Sequence, residues 1–205
     1  MGMYENYAVV YDAAGQLAFS QRMIPYLQRL LEHFPAPGRR LAEVACGTGT
    51  VAVAMAQAGY QVYGIDASAG MLERARAKAQ AAGVQIEWSQ QDMRRMALPE
   101  PVHLVTCLYD SMNYMLTSED LGAAFERAYA ALTPGGLYLF DMNTAAVMST
   151  MWAGETVFTD SEDLSVVMAA QYDEQRQRIT IHVTCFERLA GQPLYRIGLD
   201  LAAAG

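Results

Sequence analysis

The chain has 205 residues, of which 53% are hydrophobic, and a formal net charge of −8 at pH 7. This length and apolar content are enough for one domain with a substantial core. The negative charge argues against a nucleic-acid partner, because phosphate binding needs a concentrated positive surface. The sequence contains no apolar run long enough to span a membrane and does not open like a secretory signal.

The three cysteines are far apart in sequence, at Cys46, Cys107 and Cys185. Their spacing matches neither a disulfide framework nor a metal site. We therefore expect a cytoplasmic protein that holds no metal and acts on a small molecule.

The pattern of the first 143 residues alternates between strands and helices. Residues 20–34 place apolar side chains at helical spacing and predict an opening amphipathic helix. The strands predicted after it are residues 41–45, 61–66, 84–88, 102–108 and 137–142. The helices predicted between them are residues 50–58, 69–82 and 117–132. This alternation predicts an α/β fold, a Rossmann-like doubly wound sheet that is mostly parallel and has helices on both faces.

The pattern changes after Asn143, where residues 162–172, 178–187 and 194–201 read as strands joined by polar turns. They predict a small antiparallel β appendage near the C-terminus. We expect one domain made of a helical cap (residues 1–35), a cofactor-binding core (36–143) and this appendage (144–205).

A glycine-rich loop follows the first predicted strand. Gly47 and Gly49 allow tight turning and close approach to a ligand, and Asp66 ends the second strand, where a carboxylate can accept hydrogen bonds from ribose hydroxyls. With Ala52, the loop also satisfies the loose dinucleotide fingerprint, so the loop alone leaves the nucleotide cofactor open.

Glu43 discriminates between two cofactors. It lies inside the first predicted strand, where a buried carboxylate is costly unless a cationic or donating group pairs with it. The ammonium group of S-adenosylmethionine (SAM) is such a partner, whereas the pyrophosphate of NAD would repel the carboxylate. Glu43 therefore favours SAM.

The segment from Glu43 to Gly49 resembles the first motif of class I SAM-dependent methyltransferases. Further segments resemble that family's later motifs in the same order, at residues 64–72, 91–93 and 132–136. The resemblance covers roughly residues 36 to 143. Residues 7–12 and 108–114 are similar to a subgroup of small bacterial methyltransferases.

The resemblance implies a SAM site with S-adenosylhomocysteine (SAH) as the product. Its cofactor-binding residues would be Tyr11, Glu43, Ala45, Cys46, Gly47, Thr48, Gly49, Asp66, Ala67, Met71, Asp92, Met93 and Leu108. Asp66 would bind the ribose, Asp92 would accept from the adenine amino group, and Met93 would offer its backbone N–H to the ring. Met71 equally fits simple core packing.

Polar residues after the fourth strand are candidates for contact with the methyl acceptor. Tyr109, Asp110 and Asn113 are the candidate catalytic residues, with Tyr114 beside them. Asp110 and Asn113 also fit a purely local role in turning the loop. Methyl transfer is an in-line displacement, and a base is needed only where the acceptor must lose a proton.

The family usually ends with a further helix and two strands, which we do not find in this sequence. The fifth strand would then be an open edge, and a homodimer through that edge is one hypothesis. The sequence predicts a SAM-dependent methyltransferase acting on a small molecule. The alternatives are a SAM-binding protein without turnover and an NAD(P)-dependent oxidoreductase.

Overall fold

The computed structural model describes residues 4–5, 7–152, 154–188 and 195–204, with the backbone alone for 151–152 and 195–204. The helices are α1 (Leu17–His33), α2 (Thr50–Gln57), α3 (Ala69–Ala82), α4 (Ser118–Ala131) and the three-residue α5 (Ala145–Val147), besides short 3-10 and π-helical segments. The strands of a first sheet are β1 (Arg40–Val44), β2 (Gln61–Asp66), β3 (Glu87–Gln90), β4 (Val102–Cys107) and β5 (Leu132–Phe140). Those of a second sheet are β6 (Thr156–Asp160), β7 (Leu164–Asp173), β8 (Arg178–Glu187) and β9 (Tyr195–Ala204).

The first sheet has the strand order β3-β2-β1-β4-β5, and every neighbouring pair is parallel. The chain moves outward from β1 to β3 and then crosses back to place β4 on the other side of β1. Such a switch point opens a crevice at the carboxyl ends of the strands, where α/β proteins bind ligands. The predicted Rossmann-like fold with an antiparallel appendage is confirmed.

Both faces of this sheet are covered, so its central strands are largely apolar, with Glu43 of β1 and Thr106 of β4 as buried polar exceptions. Leu41 and Leu104 of β1 and β4 pack with Leu27 of α1 on one face. Val105 packs with Ala128 of α4 on the other. The two clusters hold the carboxyl ends of β1, β2 and β4 in fixed positions.

The local signals for helix ends are confirmed. Ser68 accepts a hydrogen bond from the backbone N–H of Met71, and Thr117 accepts one from Asp120, as N-caps do. The third strand begins later than predicted, at Glu87. The reason is that Val84 donates its N–H to Ala79 and so completes the C-terminal turn of α3.

The fifth strand begins earlier than predicted, at Leu132. Its pairing with β4 jumps from Val102↔Leu132 to Leu104↔Leu137, so the predicted turn of residues 133–136 is a bulge inside the strand. β5 is also the outer strand of this sheet among the described residues.

The second sheet is antiparallel, in the order β6-β7-β8-β9. Its first strand was not predicted, because all five residues of β6 are exposed and show no alternating pattern. β7 and β8 pack on the N-terminal segment: Val166 and Val183 share a core cluster with Tyr7 and Val10. No helix in the described ranges is both long and apolar enough to cross a bilayer.

Candidate active site

A cavity of about 280 Å³ lies beyond the carboxyl ends of β1, β2 and β4. Its walls come from the N-terminal segment and α1, the glycine loop after β1, the loops after β2 and β3, and the loop after β4. This is the crevice that the strand order of the sheet predicts.

The glycine loop is tied to the end of β2 through Asp66. The Gly47 N–H donates to Asp66 Oδ2 at 2.8 Å, and the Ser68 N–H donates to Oδ1 at 2.8 Å. Burial raises the pKa of Asp66, although these backbone donors oppose that effect. Gly47 has a φ of +54°, and no atom lies within 4 Å of the position that a Cβ would take. The missing side chain therefore leaves room for a ligand against the loop backbone.

Gly49 serves packing instead and does not line the cavity. A Cβ at this position would lie 2.7 Å from the Trp88 ring and 2.9 Å from the Ala75 Cβ. The loop thus requires glycine here so that it can approach α3 and β3 closely.

Glu43 is the buried acid of the cavity. Its side chain is 4% exposed, and Oε2 has no hydrogen-bond partner among the described residues. Burial raises the pKa of Glu43 to about 8, with the Ala52 backbone N–H opposing the shift. A buried oxygen without a donor is costly, so the site suits a ligand that brings a cation or an N–H group. The cavity therefore fits the amino-acid end of SAM.

Asp92 lines the cavity but is already paired. The Arg94 guanidinium binds both of its oxygens, with Nη2 at 2.5 Å from Oδ2, and also reaches Asp120 at 2.9 Å. This hydrogen bonding lowers the pKa of Asp92. Arg94 thereby joins the loop after β3 to the first turn of α4, and an adenine amino group would share the Asp92 carboxylate with it.

The loop after β4 holds two consecutive residues in the left-handed region, Tyr109 at φ +63° and Asp110 at φ +48°. Non-glycine residues rarely adopt this conformation without support. Asp141, just after β5, supplies that support by accepting the Tyr109 N–H at 2.7 Å and the Asp110 N–H at 2.8 Å. The clamp keeps Tyr109 in the cavity wall.

Behind this loop lies a hydrogen-bonded pair of amides. Asn113 is 1% exposed, donates to the Asn143 carbonyl at 2.8 Å and accepts the Asn143 N–H at 2.9 Å. The Asn143 side chain donates to Asp110 Oδ2 at 2.7 Å. Burial and the nearby Asp141 raise the pKa of Asp110 to about 6. Asn113 and Asp110 therefore lie behind the wall rather than in it.

Comparison with known proteins identifies the family. The family described as "Methyltransferase domain" matches residues 41–136. A protein of Geobacillus sp. (strain WCH70), provisionally named a methyltransferase, is 33% identical over 165 residues, which cover 80% of this chain and 67% of that protein. The chain belongs to the class I SAM-dependent methyltransferases. Family membership makes this protein a SAM-dependent methyltransferase, with SAM as cofactor and SAH as product.

Solved structures show the same fold. A SAM-dependent methyltransferase from Clostridium acetobutylicum superposes with a TM-score of 0.85 at 20% identity, over 99% of this chain and 82% of the other. The sugar N-methyltransferase KedS8 from Streptoalloteichus sp. superposes with a TM-score of 0.72 at 20% identity, over 88% of this chain and 71% of the other.

The cavity of this methyltransferase brings together most of the site residues predicted from sequence. Those that line it are Tyr11, Glu43, Ala45, Cys46, Gly47, Thr48, Asp66, Ala67, Met71, Asp92, Met93, Leu108 and Tyr109. Gly49, Asp110 and Asn113 do not appear in the described lining. Cys46 is buried, which raises the pKa of its thiol and leaves it a packing residue.

Other cavity residues were not predicted, among them Tyr4, Phe19, Gln91, Arg94 and Ser111. The sequence spacing of Tyr4, Tyr7 and Tyr11 could have predicted this aromatic group, because residues three and four apart lie on the same side of a helical segment. The three rings do contact one another. Arg94 and Asp141 gave no such signal, since Asp120, the second partner of Arg94, and both residues that Asp141 clamps lie far away in sequence.

The N-terminal segment is fastened to the core on two sides of the cavity. Glu5 accepts the backbone N–H groups of Ala69 and Gly70 at 2.9 and 3.0 Å, at the start of α3. Asp12 accepts from Thr48 of the glycine loop at 2.6 Å and pairs with Lys78 at 2.8 Å. These contacts hold Tyr4 and Tyr11 over the cavity.

Proposed function

We propose that this methyltransferase transfers the methyl group of SAM, by in-line displacement, to a small molecule bound in the same cavity. The observation that carries this proposal is the two-part lining of the cavity. One end contains the glycine loop with the unpaired oxygen of Glu43, and the other contains neutral aromatic side chains. The acidic end suits the cofactor and the aromatic end suits an organic acceptor.

In this proposal the glycine loop holds the methionine and ribose portions of SAM. Glu43 receives the ammonium group, directly or through a water, and Asp66 accepts from the ribose hydroxyls while it keeps the Gly47 N–H. Met71 flanks the adenine, and Asp92 accepts from its amino group beside Arg94. When bound, SAM supplies a methyl group that its sulfonium has already activated.

The protein's own residues then need to exclude water and to align the acceptor with the methyl carbon. Tyr11 covers the cavity from the N-terminal segment. Tyr109 contacts the acceptor, and Asp110 and Asn113 act behind it by holding the loop after β4 in place. No covalent intermediate on the protein is required.

A small acceptor is supported by the modest volume of the cavity, about 280 Å³. We also propose that the chain is one domain made of a helical cap (residues 1–35), a cofactor-binding core (36–143) and an antiparallel β appendage (144–205), supported by the packing of Tyr7 of the cap against β7 and β8. The three free, buried cysteines support a reducing cytoplasmic location. A homodimer through β5 stays a prediction.

The test is calorimetric titration of the protein with SAM, SAH and NAD in parallel. Micromolar binding of SAM and SAH, about −8 kcal/mol, with none for NAD is expected. Tight NAD binding would instead support an oxidoreductase. SAM binding without release of SAH over a broad panel of small acceptors would support a SAM-binding protein without turnover. Circular dichroism confirms that the titrated chain is folded.

A further inference from the structure

We propose that the methyl acceptor is an amine, whose nitrogen sits among the aromatic rings of the cavity. The inference rests on the proposed function and adds its substrate class. We call these rings the aromatic end of the cavity, and they belong to Tyr4, Tyr11, Phe19, Tyr109 and Tyr114.

The rings of the aromatic end all line the cavity, and Tyr4 meets its neighbours there edge-to-face rather than stacked. Tyr4 meets Tyr11 and Tyr114 edge-on, with ring centroids 6.2 and 6.0 Å apart. Only Tyr109 and Phe19 stack, at 4.1 Å, among the described pairs of these rings. An unstacked aromatic face carries negative potential and attracts a cation within about 6 Å of its centroid.

The tyrosine hydroxyls stay neutral and largely bonded to one another or to amides. Tyr4 and Tyr114 share a hydrogen bond of 2.5 Å between their oxygens, and Tyr109 donates to Gln16. Burial raises the pKa of Tyr109 and of Tyr114 to about 12. The aromatic end therefore presents rings rather than a phenolate base at neutral pH.

A carboxylate lies behind these rings. Burial is the main cause of the raised pKa of Tyr4, Tyr11, Tyr109 and Tyr114, and the charge of Asp110 adds to the shift in all four. Its Oδ2 accepts from the Asn143 side chain at 2.7 Å. Asp110 thus adds negative potential to that of the rings, which favours a positively charged nitrogen.

Oxygen acceptors fit this lining poorly. An alcohol or phenol must lose a proton to become a good nucleophile, and the described lining contains no histidine or lysine to take it. Arg94 is the one basic residue of that lining, and its guanidinium already forms ion pairs with Asp92 and Asp120. A carboxylate acceptor would bring a negative charge towards Asp110. An amine that enters as an ammonium ion first releases one proton to water, far more readily than an alcohol does, and the neutral amine then has the lone pair that the displacement needs.

Methyl transfer to an amine is a single displacement at the methyl carbon. The amine lone pair forms the N–C bond to the methyl carbon while the C–S bond breaks, and that bonding pair stays on sulfur. The positive charge moves from sulfur to nitrogen, and the new ammonium then releases a proton to water. The rings and Asp110 stabilise the positive charge as it appears on nitrogen. They therefore stabilise the transition state more than they stabilise the neutral acceptor.

The first experiment measures binding without turnover. The SAH-loaded protein is titrated with choline and with its neutral isostere 3,3-dimethylbutan-1-ol. Choline is expected to bind at least about fivefold more tightly, as a cation over an aromatic face does. Tyr114→Leu should weaken choline binding by about fivefold to thirtyfold, whereas Tyr114→Phe keeps the ring and most of the affinity. Asp110→Asn should lower the choline preference in a protein that thermal unfolding shows to be intact.

The second experiment compares acceptors on matched carbon frames, for example benzylamine, benzyl alcohol and benzoate, with radiolabelled SAM. The amine of each set is expected to be methylated preferentially. The inference is overturned if no amine outranks its oxygen counterparts, or if choline and its isostere show no difference in affinity. SAM and SAH titrations come first. A failure of the proposed function appears there as missing cofactor binding, whereas a failure of the amine inference appears only in the acceptor experiments.

Discussion

Asp141 holds Tyr109 in place through the backbone: its Oδ1 accepts the Tyr109 N–H at 2.7 Å. The other oxygen accepts the N–H of Asp110 at 2.8 Å, and both residues have positive φ. A side chain just after β5 therefore stabilises a strained turn just after β4. The cavity wall at Tyr109 therefore depends on two neighbouring strands and not on one loop.

Asp141→Ala should consequently destabilise the fold and disorder the Tyr109 loop. Each hydrogen bond to a charged group contributes about 1.5–3 kcal/mol, and both N–H groups would lose their acceptor. Urea unfolding gives the change in free energy, and near-ultraviolet circular dichroism reports the packing of Tyr109 on Phe19. Asp173→Ala is the matched control, because Asp173 also accepts two backbone N–H groups, at an exposed turn. A loss no larger in Asp141→Ala than in the control would contradict the clamp.

Gly64 should tolerate no side chain. It pairs with Trp88 on the neighbouring strand, and a Cβ would lie 2.2 Å from the indole ring. Gly64→Ala should lower the free energy of unfolding by about 1–3 kcal/mol through overpacking. Gly122→Ala in α4 is the control, because a Cβ there meets nothing within 4 Å, and it should stabilise by about 0.5–1 kcal/mol.

A double-mutant cycle identifies the cause of the Gly64 effect. Trp88→Ala removes the ring that the new methyl group would strike, so Gly64→Ala should cost clearly less in that background. An equal cost in both backgrounds would mean that the strand backbone, and not the indole, rejects the side chain.

The parts of this protein that could be predicted from sequence are those fixed by local chemistry. The caps Ser68 and Thr117 bond to N–H groups three residues away, and the strand–helix alternation dictates a parallel sheet whatever the details of packing. The cofactor loop belongs to this class, because glycine and a strand-end acid suffice to mark it. The residues that determine these features are recognisable from short sequence patterns, without knowledge of the tertiary packing.

The acceptor side could not be predicted in the same way. The clamp from Asp141 spans 32 residues in sequence, and the bond between Tyr4 and Tyr114 spans 110. β6 was missed because its side chains are all exposed, so burial left no alternation to detect. Each of these features exists only once distant segments are packed together.

Asp66→Ala should affect the cofactor site in two ways. It removes the carboxylate that we propose accepts from the ribose, and it releases the Gly47 and Ser68 N–H groups that Asp66 holds. We expect SAM binding to weaken by about 1.5–3 kcal/mol for each charged hydrogen bond lost. Ser68→Ala is the control, since it removes the cap on α3 and leaves Asp66 in place. Unchanged SAM affinity in a folded Asp66→Ala variant would refute the assignment.

Glu43 should make both stability and SAM binding depend on pH. Its pKa is about 8 in the folded protein against an ordinary value of 4.5, so between these values the folded state binds more protons than the unfolded state. Stability therefore falls as the pH rises from about 4.5 to about 8, because the exposed carboxyl of the unfolded state ionises in this range while the buried one stays protonated. Glu43→Gln should remove that part of the pH dependence, measured by urea unfolding at pH 5, 6.5 and 8.

Binding of SAM should reverse the preference of Glu43 for its neutral form. An ammonium group beside the carboxyl favours its charged form, so SAM binding at pH 6.5 should release close to one proton from Glu43. The affinity for SAM should therefore rise with pH until the pH at which Glu43 is already ionised in the free protein. Calorimetry in two buffers of different ionisation enthalpy counts that proton. Glu43→Gln is the reference, because it retains any proton exchange by SAM itself and loses only the exchange by Glu43. The same proton count in both proteins would place the ammonium group away from Glu43 and reassign the unpaired oxygen to a water.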